Sequence, residues 1–223
     1  MSTFKAQGNA SGTGEVTLET PNTNTNRTIS LPDATTTLVG TDATQTLTNK
    51  TLTSPTITGA VMSSMASSVI TSGTAQASTS GTSIDFTGIP SWAKRVTVML
   101  SVVSTNGTSN LLFQLGSGSV TTSGYSSTGT FVSTGVSTTT SSSGFTTGNA
   151  GMTVGSSVSG SITFNRLTLN DWVGSGVFSN FGPPNMFLSG GFISLGGALD
   201  RVRITTTGGT DTFDAGSINI LYE

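Results

Sequence analysis

Cysteine and histidine are both absent from the 223 residues, and only 8% of the chain is Asp, Glu, Lys or Arg. Without cysteine there can be no disulfide framework, thiolate metal site or thiol nucleophile. Without histidine the commonest general base near neutral pH is missing, and with it the Ser-His-Asp mode of hydrolysis. Ordinary soluble domains carry about 25% charged residues. Here Ser and Thr, roughly a third of the chain, take over the polar role. The eight Lys and Arg are scattered apart from Lys94-Arg95 and Arg201/Arg203, so no basic patch suited to nucleic acid is expected. No run of 18 apolar residues occurs and the N-terminus lacks the apolar stretch of a signal peptide; a chain made in a cytoplasm and not inserted into a membrane is expected.

What is present favours strands. Thr and Val pack well on a pleated surface, and 29 Gly with scattered Asn and Asp supply turns. The fold expected is all-β.

Three regions follow. Residues 1–45 hold short apolar-alternating pieces between turn clusters, with Phe4, Val16, Leu18, Ile29, Leu31 and Leu38 as their large apolar residues. So few side chains cannot offset a backbone ordering cost of about 1–2 kcal/mol per residue, so this segment needs a neighbour to order it. Residues 46–80 open on a five-residue repeat, Thr46-Leu47-Thr48-Asn49-Lys50, Thr51-Leu52-Thr53-Ser54-Pro55 and Thr56-Ile57-Thr58-Gly59-Ala60. It fits neither helical nor strand period. In three parallel copies Leu47, Leu52 and Ile57 could meet their symmetry mates at an axis; a flexible Thr-rich linker with chance periodicity is the alternative. Residues 61–80 read as a connector, with one or two helical turns possible.

Residues 81–223 carry nearly all the aromatics and the densest strand signals. Arg95 to Ser104 reads as a long strand with Val96, Val98, Leu100 and Val102 on one face. Thr105-Asn106-Gly107-Thr108 reads as a hairpin turn returning through Leu111, Phe113 and Leu115. Further strands are expected at 129–134, 161–169, 174–181, 186–195, 201–207 and 217–223. Residues 117–160, with unbroken Ser/Thr from 137 to 143, read as a long surface loop. An antiparallel β-sandwich, jelly-roll-like, is the architecture these signals favour.

The stretch T-L-T-N-K-T-L-T-S-P-T-I, Thr46 to Ile57, resembles a segment that recurs in bacteriophage tail-fibre and other virion fibre proteins. Gly14-Glu15-Val16-Thr17-Leu18, Ile29-Ser30-Leu31-Pro32 and Thr37-Leu38-Val39-Gly40 are similar to their strand-rich lead-in. Ile89-Pro90-Ser91-Trp92 to Gly107, and the ending Ala215 to Glu223, are similar to the terminal head of some of them. The resemblance implies a homotrimeric virion component: 1–45 anchoring to a baseplate, tail or capsid protein, 46–80 an intertwined stalk and connector, and 81–223 a head that contacts host glycans. A head fibre or capsid decoration protein, and a glycan-cleaving tailspike, are the alternatives.

For the head, Tyr125, Asn170, Asp171 and Trp172 are the candidate receptor contacts, an indole or phenol ring stacking on a sugar while Asn and Asp hold its hydroxyls. Trp172, between two expected strands, is the ring expected to be exposed, and Trp92 the one expected to pack against the head or the subunit interface. Asp171, Asp200, Asp211, Asp214 and Glu223 are the carboxylates a glycosidase could use, but Asp in Gly-rich turns usually bonds its own backbone. No Asp-x-Asp-x-Asp-Gly spacing occurs, so neither metal nor cofactor is expected and the chain reads as a non-enzyme.

Overall fold

A computed structural model of the chain describes residues 11–13, 24–26, 51, 53–54, 70–148, 152–182 and 184–223. The chain divides into two compact units, Met1–Ala60 and Val61–Glu223. The expected stalk residues Leu47, Leu52 and Ile57, and the expected anchor residues Phe4, Val16, Leu18, Ile29, Leu31 and Leu38, lie outside the described residues.

All regular structure among the described residues is β, and every strand pairing is antiparallel. The larger sheet has nine strands. It runs from β1 (Thr71–Ser72) through β14 (Phe213–Tyr222), β4 (Arg95–Thr105), β10 (Ser157–Arg166), β11 (Asp171–Phe181), β12 (Asn185–Ser194) and β7 (Ser126–Val132) to β8 (Val136–Ser141), with β2 (Gln76–Ala77) also on β14. The smaller sheet has five: β3 (Ile84–Thr87), β13 (Arg201–Thr206), β5 (Leu111–Ser117) and β6 (Ser119–Val120), with β9 (Phe145–Thr146) on β5.

The inward faces of the two sheets meet in one apolar core. Val96, Val98 and Leu100 of β4 and Ile162 and Phe164 of β10 lie opposite Phe113 and Leu115 of β5 and Val202 and Ile204 of β13, all buried. Each such side chain contributes about 1.5–3 kcal/mol when removed from water. The rings of Phe113 and Phe178 stack at 5.4 Å across the sheets. Phe145 packs on Phe164 with centroids 5.0 Å apart, and both press on the backbone at Gly174. A Cβ there would sit 2.8 Å from atoms of each ring, so this strand is glycine on its core side because rings take the space.

Several expectations are corrected. Asn106-Gly107 does not close a hairpin: β4 belongs to the larger sheet and β5 to the smaller, so the chain crosses between layers here. The crossing is tied down from the far side, Thr212 N–H donating to Asn106 Oδ1 at 2.9 Å and Ser109 N–H to Asp211 Oδ2 at 2.8 Å. Residues 117–160 are not a long loop. They contain β6, β7, β8 and β9, and the Ser/Thr run forms β8 at the end of the larger sheet, paired along its length with β7. Thr is a good strand former whatever its polarity. The strand expected at 161–169 stops at Arg166, because Leu167 N–H turns back to Asp171 O at 2.8 Å. Thr71–Ser72 and Gln76–Ala77, expected in the connector, are strands on β14.

Val102 breaks the alternation of β4. It has φ of 53°, a region where Cβ crowds the following carbonyl and a β-branched residue is a strong outlier. Val103 turns inward instead and Val102 is 53% exposed. Gly160 and Gly216, with φ of 147° and 96°, sit beside irregular registers on the neighbouring strands β10 and β14, so one bulge runs across three strands. Relief of this strain is measurable. Val102→Gly is expected to stabilise the protein by about 1 kcal/mol, the roughly 1–2 kcal/mol of left-handed strain less the entropy that glycine adds to the unfolded chain. A thermal melt should show a midpoint a few degrees higher; a lower one would mean the Val102 side chain is worth more than its strain.

Candidate functional site

The four expected receptor contacts do not form an exposed site. Tyr125 is buried, its ring edge-on to Phe145 at 5.5 Å. Its hydroxyl accepts from Leu115 N–H at 2.8 Å and donates to Thr121 O at 2.9 Å, and burial pushes its pKa up to about 12. Trp172 is 1% exposed: β11 begins at Asp171, so Trp172 is its first inward-facing residue, and its indole Nε1 has no hydrogen-bond partner. The Asn170 amide is taken up by its own loop, its nitrogen donating to Leu169 O at 3.0 Å and Gly197 O at 3.2 Å. Asp171 accepts from Thr168 Oγ1 at 2.6 Å, and hydrogen bonds from the Thr168 and then the Ser194 hydroxyl hold its carboxyl below the usual range. The exposure expected of Tyr125 and Trp172 is therefore overturned, for one reason: both rings point between the sheets.

The exposed tryptophan is Trp92, 51% accessible and tilted against Tyr222 at 5.8 Å. Beside it a depression of about 150 Å³ is bordered by Ile70, Arg95, Tyr222 and Glu223. Arg95 and Glu223 pair at 2.5 Å across it. Ile70, next to β1, lies at this end of the sandwich.

The opposite end carries a different surface. From Arg95, β4 runs eleven residues, roughly 35 Å, to Thr105, which pairs with Phe213. There Thr207 N–H bonds Asn110 O at 2.8 Å and Phe213 N–H bonds Gly81 O at 2.8 Å. Two open grooves reach this end at Thr207 and share Ser143. One, of about 340 Å³, runs between Asn110, Thr139–Ser143, Thr146 and Gly148. The other, of about 360 Å³, lies on the outer face of the smaller sheet between Thr82, Gln114, Thr122, Arg203 and Thr205.

Neighbouring strands set out this second groove residue by residue. The registers Arg203↔Asp85 and Arg203↔Gln114 place an Asp–Arg–Gln row across β3, β13 and β5. Arg203 grips Asp85 with two bonds, of 2.7 and 2.9 Å; the carboxylate holds the guanidinium pKa above its ordinary value and neutralises it. Gln114 Nε2 donates to Ser143 O at 2.8 Å and Thr205 Oγ1 to Thr82 O at 2.8 Å, fixing the walls. In the first groove Thr146 is 1% exposed with its Oγ1 unpartnered, and Asn110 Oδ1 is unpartnered too. Buried polar atoms without partners cost about 1–3 kcal/mol each, and these two lie beneath the groove surface rather than on it. A surface of hydroxyls and amides donates and accepts in turn, as a sugar does. Sequence reasoning passed over these residues because Ser and Thr are everywhere in this chain; only the pairing of β5 with β9 and β13 selects the few that converge.

The carboxylates of the two-sheet domain are engaged elsewhere. Asp200 binds Arg201 at 2.8 Å and accepts from Gly118 N–H at 3.0 Å; Arg201 first, then that N–H, hold its carboxyl low against the opposing effect of burial. Asp211 accepts from Ser109 N–H and Asp214 from the Ser104 hydroxyl. Among the described residues no three of His, Cys, Asp or Glu come together as a metal site would need, and no helix is long and apolar enough to cross a membrane. No family model, curated protein or solved structure matches the chain.

Proposed function

We propose that the chain is a structural fibre of a bacteriophage particle, a homotrimer anchored through residues 1–45, rising through the repeat of 46–80 and ending in a jelly-roll-like head that touches host glycan without cleaving it. The observation that carries the reading is the T-L-T-N-K-T-L-T-S-P-T-I segment standing directly before an all-β two-sheet domain. The hydroxyl-lined grooves support the host-facing part, because their side chains donate and accept as a sugar does. The ion-paired or backbone-bound state of Asp85, Asp200 and Asp211 supports contact rather than hydrolysis, since no carboxylate pair is left to flank a glycosidic bond in these grooves.

Antibody labelling under the electron microscope is expected to find the protein on the particle, and free protein is expected to compete with adsorption. Competition should change less than about threefold between about 50 and 500 mM salt, because neutral hydrogen bonds feel little screening. Thr207→Trp should abolish competition without lowering the melting midpoint, as it would plug an exposed position bordering both grooves. Labelling on capsids alone, with no competition, would instead favour a decoration role.

A further inference from the structure

The outward face of the larger sheet holds a second surface unrelated to the grooves. Val173, Val177 and Phe181 of β11 and Met186, Leu188 and Phe192 of β12 are 37–60% exposed, and the registers Val173↔Phe192 and Val177↔Leu188 set them side by side. Val132 and Val136 continue the patch through the Met186↔Val132 and Val132↔Val136 pairs. On these strands the usual alternation is inverted in part: glycines 174, 176 and 191 face inward or pack on neighbouring backbone while Val, Leu and Phe face out. Met186-Phe187-Leu188, Trp172-Val173, Val177-Phe178 and Phe192-Ile193 are apolar on both sides of the pleat, the pattern of strands covered on both faces.

Resting on the homotrimer reading, we propose that the outward face of β11 and β12 is the contact between copies of this chain. Three features favour a second copy as the occupant. The face is free of charge: from β8 to β10 its outward rows are Ser, Thr, Gly, Asn and apolar residues, with Asp171 at one end of β11 and Arg95 beyond on β4. Identical surfaces meeting there carry no like-charge penalty, whereas an unlike partner would find no charge to read. The exposed parts of the six side chains amount to on the order of 500 Å² of apolar surface, and with their Ser and Thr rim they approach the roughly 800 Å² per partner of a stable interface. The face also carries both projections and a recess: Phe181 and Phe192 stand exposed, and a depression of about 370 Å³ is bordered by Ser161, Thr163, Ser175, Val177 and Leu188.

A chain without cysteine makes the test direct. Val177→Cys and Leu188→Cys are made singly in the full chain, with exposed Ser123→Cys as reference. Mass is measured by light scattering, folding by circular dichroism, and thiol accessibility by the rate of maleimide labelling. A multimer in which Cys at 177 and 188 reacts at least tenfold more slowly than Cys at 123, with full reactivity after denaturation, is expected. A multimer in which all three react alike would overturn this interface and leave the trimer standing. A monomer across the micromolar range would overturn both, and slow labelling within a monomer would mean the chain's own preceding residues cover the face. Slow labelling only on intact particles would hand the surface to another virion protein.

Discussion

Trp172→Ala is expected to cost the two-sheet domain about 3–5 kcal/mol, the range for removing a buried aromatic side chain, and to lower its melting midpoint by roughly 10 °C at 2–4 °C per kcal/mol for a domain of this size. The indole is 1% exposed among the core residues of two sheets, and its neighbours across the ladder, Arg166 on β10 and Ile193 on β12, are held in register and cannot collapse into the space. One feature reduces the loss: Nε1 has no partner, so its removal returns part of the roughly 1–3 kcal/mol that an unsatisfied buried donor costs. Trp172→Phe separates the two contributions. It keeps most of the ring and deletes the orphan donor, so it should lie within about 1 kcal/mol of the parent. Trp92→Ala, at a half-exposed ring, should also fall within about 1 kcal/mol. Denaturant unfolding of the three variants is the measurement; a larger loss at Trp92 than at Trp172 would restore the assignment of Trp172 to the surface.

That reversal of the two tryptophans illustrates where the sequence can be read and where it cannot. The alternation Val96, Val98, Leu100 was enough to find β4 and its buried face, because a period of two over several residues needs no knowledge of the rest of the chain. The strand's partners were not legible. Asn106-Gly107 has local hairpin chemistry, but whether it joins neighbours in one sheet or crosses to the other depends on Phe213 and Asp211, about a hundred residues away. The strand expected from 174 leaves Trp172 in a gap between strands, whereas β11 starts at Asp171 and so turns Trp172 inward. In β8 the periodicity is hidden because an unbroken run of Ser and Thr carries no hydropathy contrast.

The candidate grooves were less legible than the fold. Ser and Thr are so frequent that no local signal marks Ser143, Thr146 or Thr207, which converge only through sheet pairing. The apolar outward face could have been noticed: Met186-Phe187-Leu188 puts large apolar residues on both sides of a strand within three positions, and the rows of exposed Val, Leu and Phe follow once β11 and β12 are paired.

Alkaline pH should unfold the two-sheet domain through Tyr125. In the folded protein burial raises this phenol from 10.0 to about 12, with the Leu115 N–H bond pulling weakly the other way; in the unfolded chain it ionises near 10. The unfolded state therefore loses its proton first. Stability is fully present below about pH 10 and falls as pH rises from there to about 12, by about 2–3 kcal/mol at 1.36 kcal/mol per unit. The side chain is only 5% exposed, so solvent screening takes little from that figure. Tyr125→Phe is expected to remove this dependence while lowering stability at neutral pH by about 1–2 kcal/mol, since it leaves Leu115 N–H and Thr121 O without the hydroxyl that joins them. Unfolding curves between pH 8 and 12, followed with tyrosinate absorbance, test both halves. A parent protein whose loss of stability over that window is matched by the Tyr125→Phe variant would mean that some other group governs alkaline unfolding and that the Tyr125 hydroxyl reaches water.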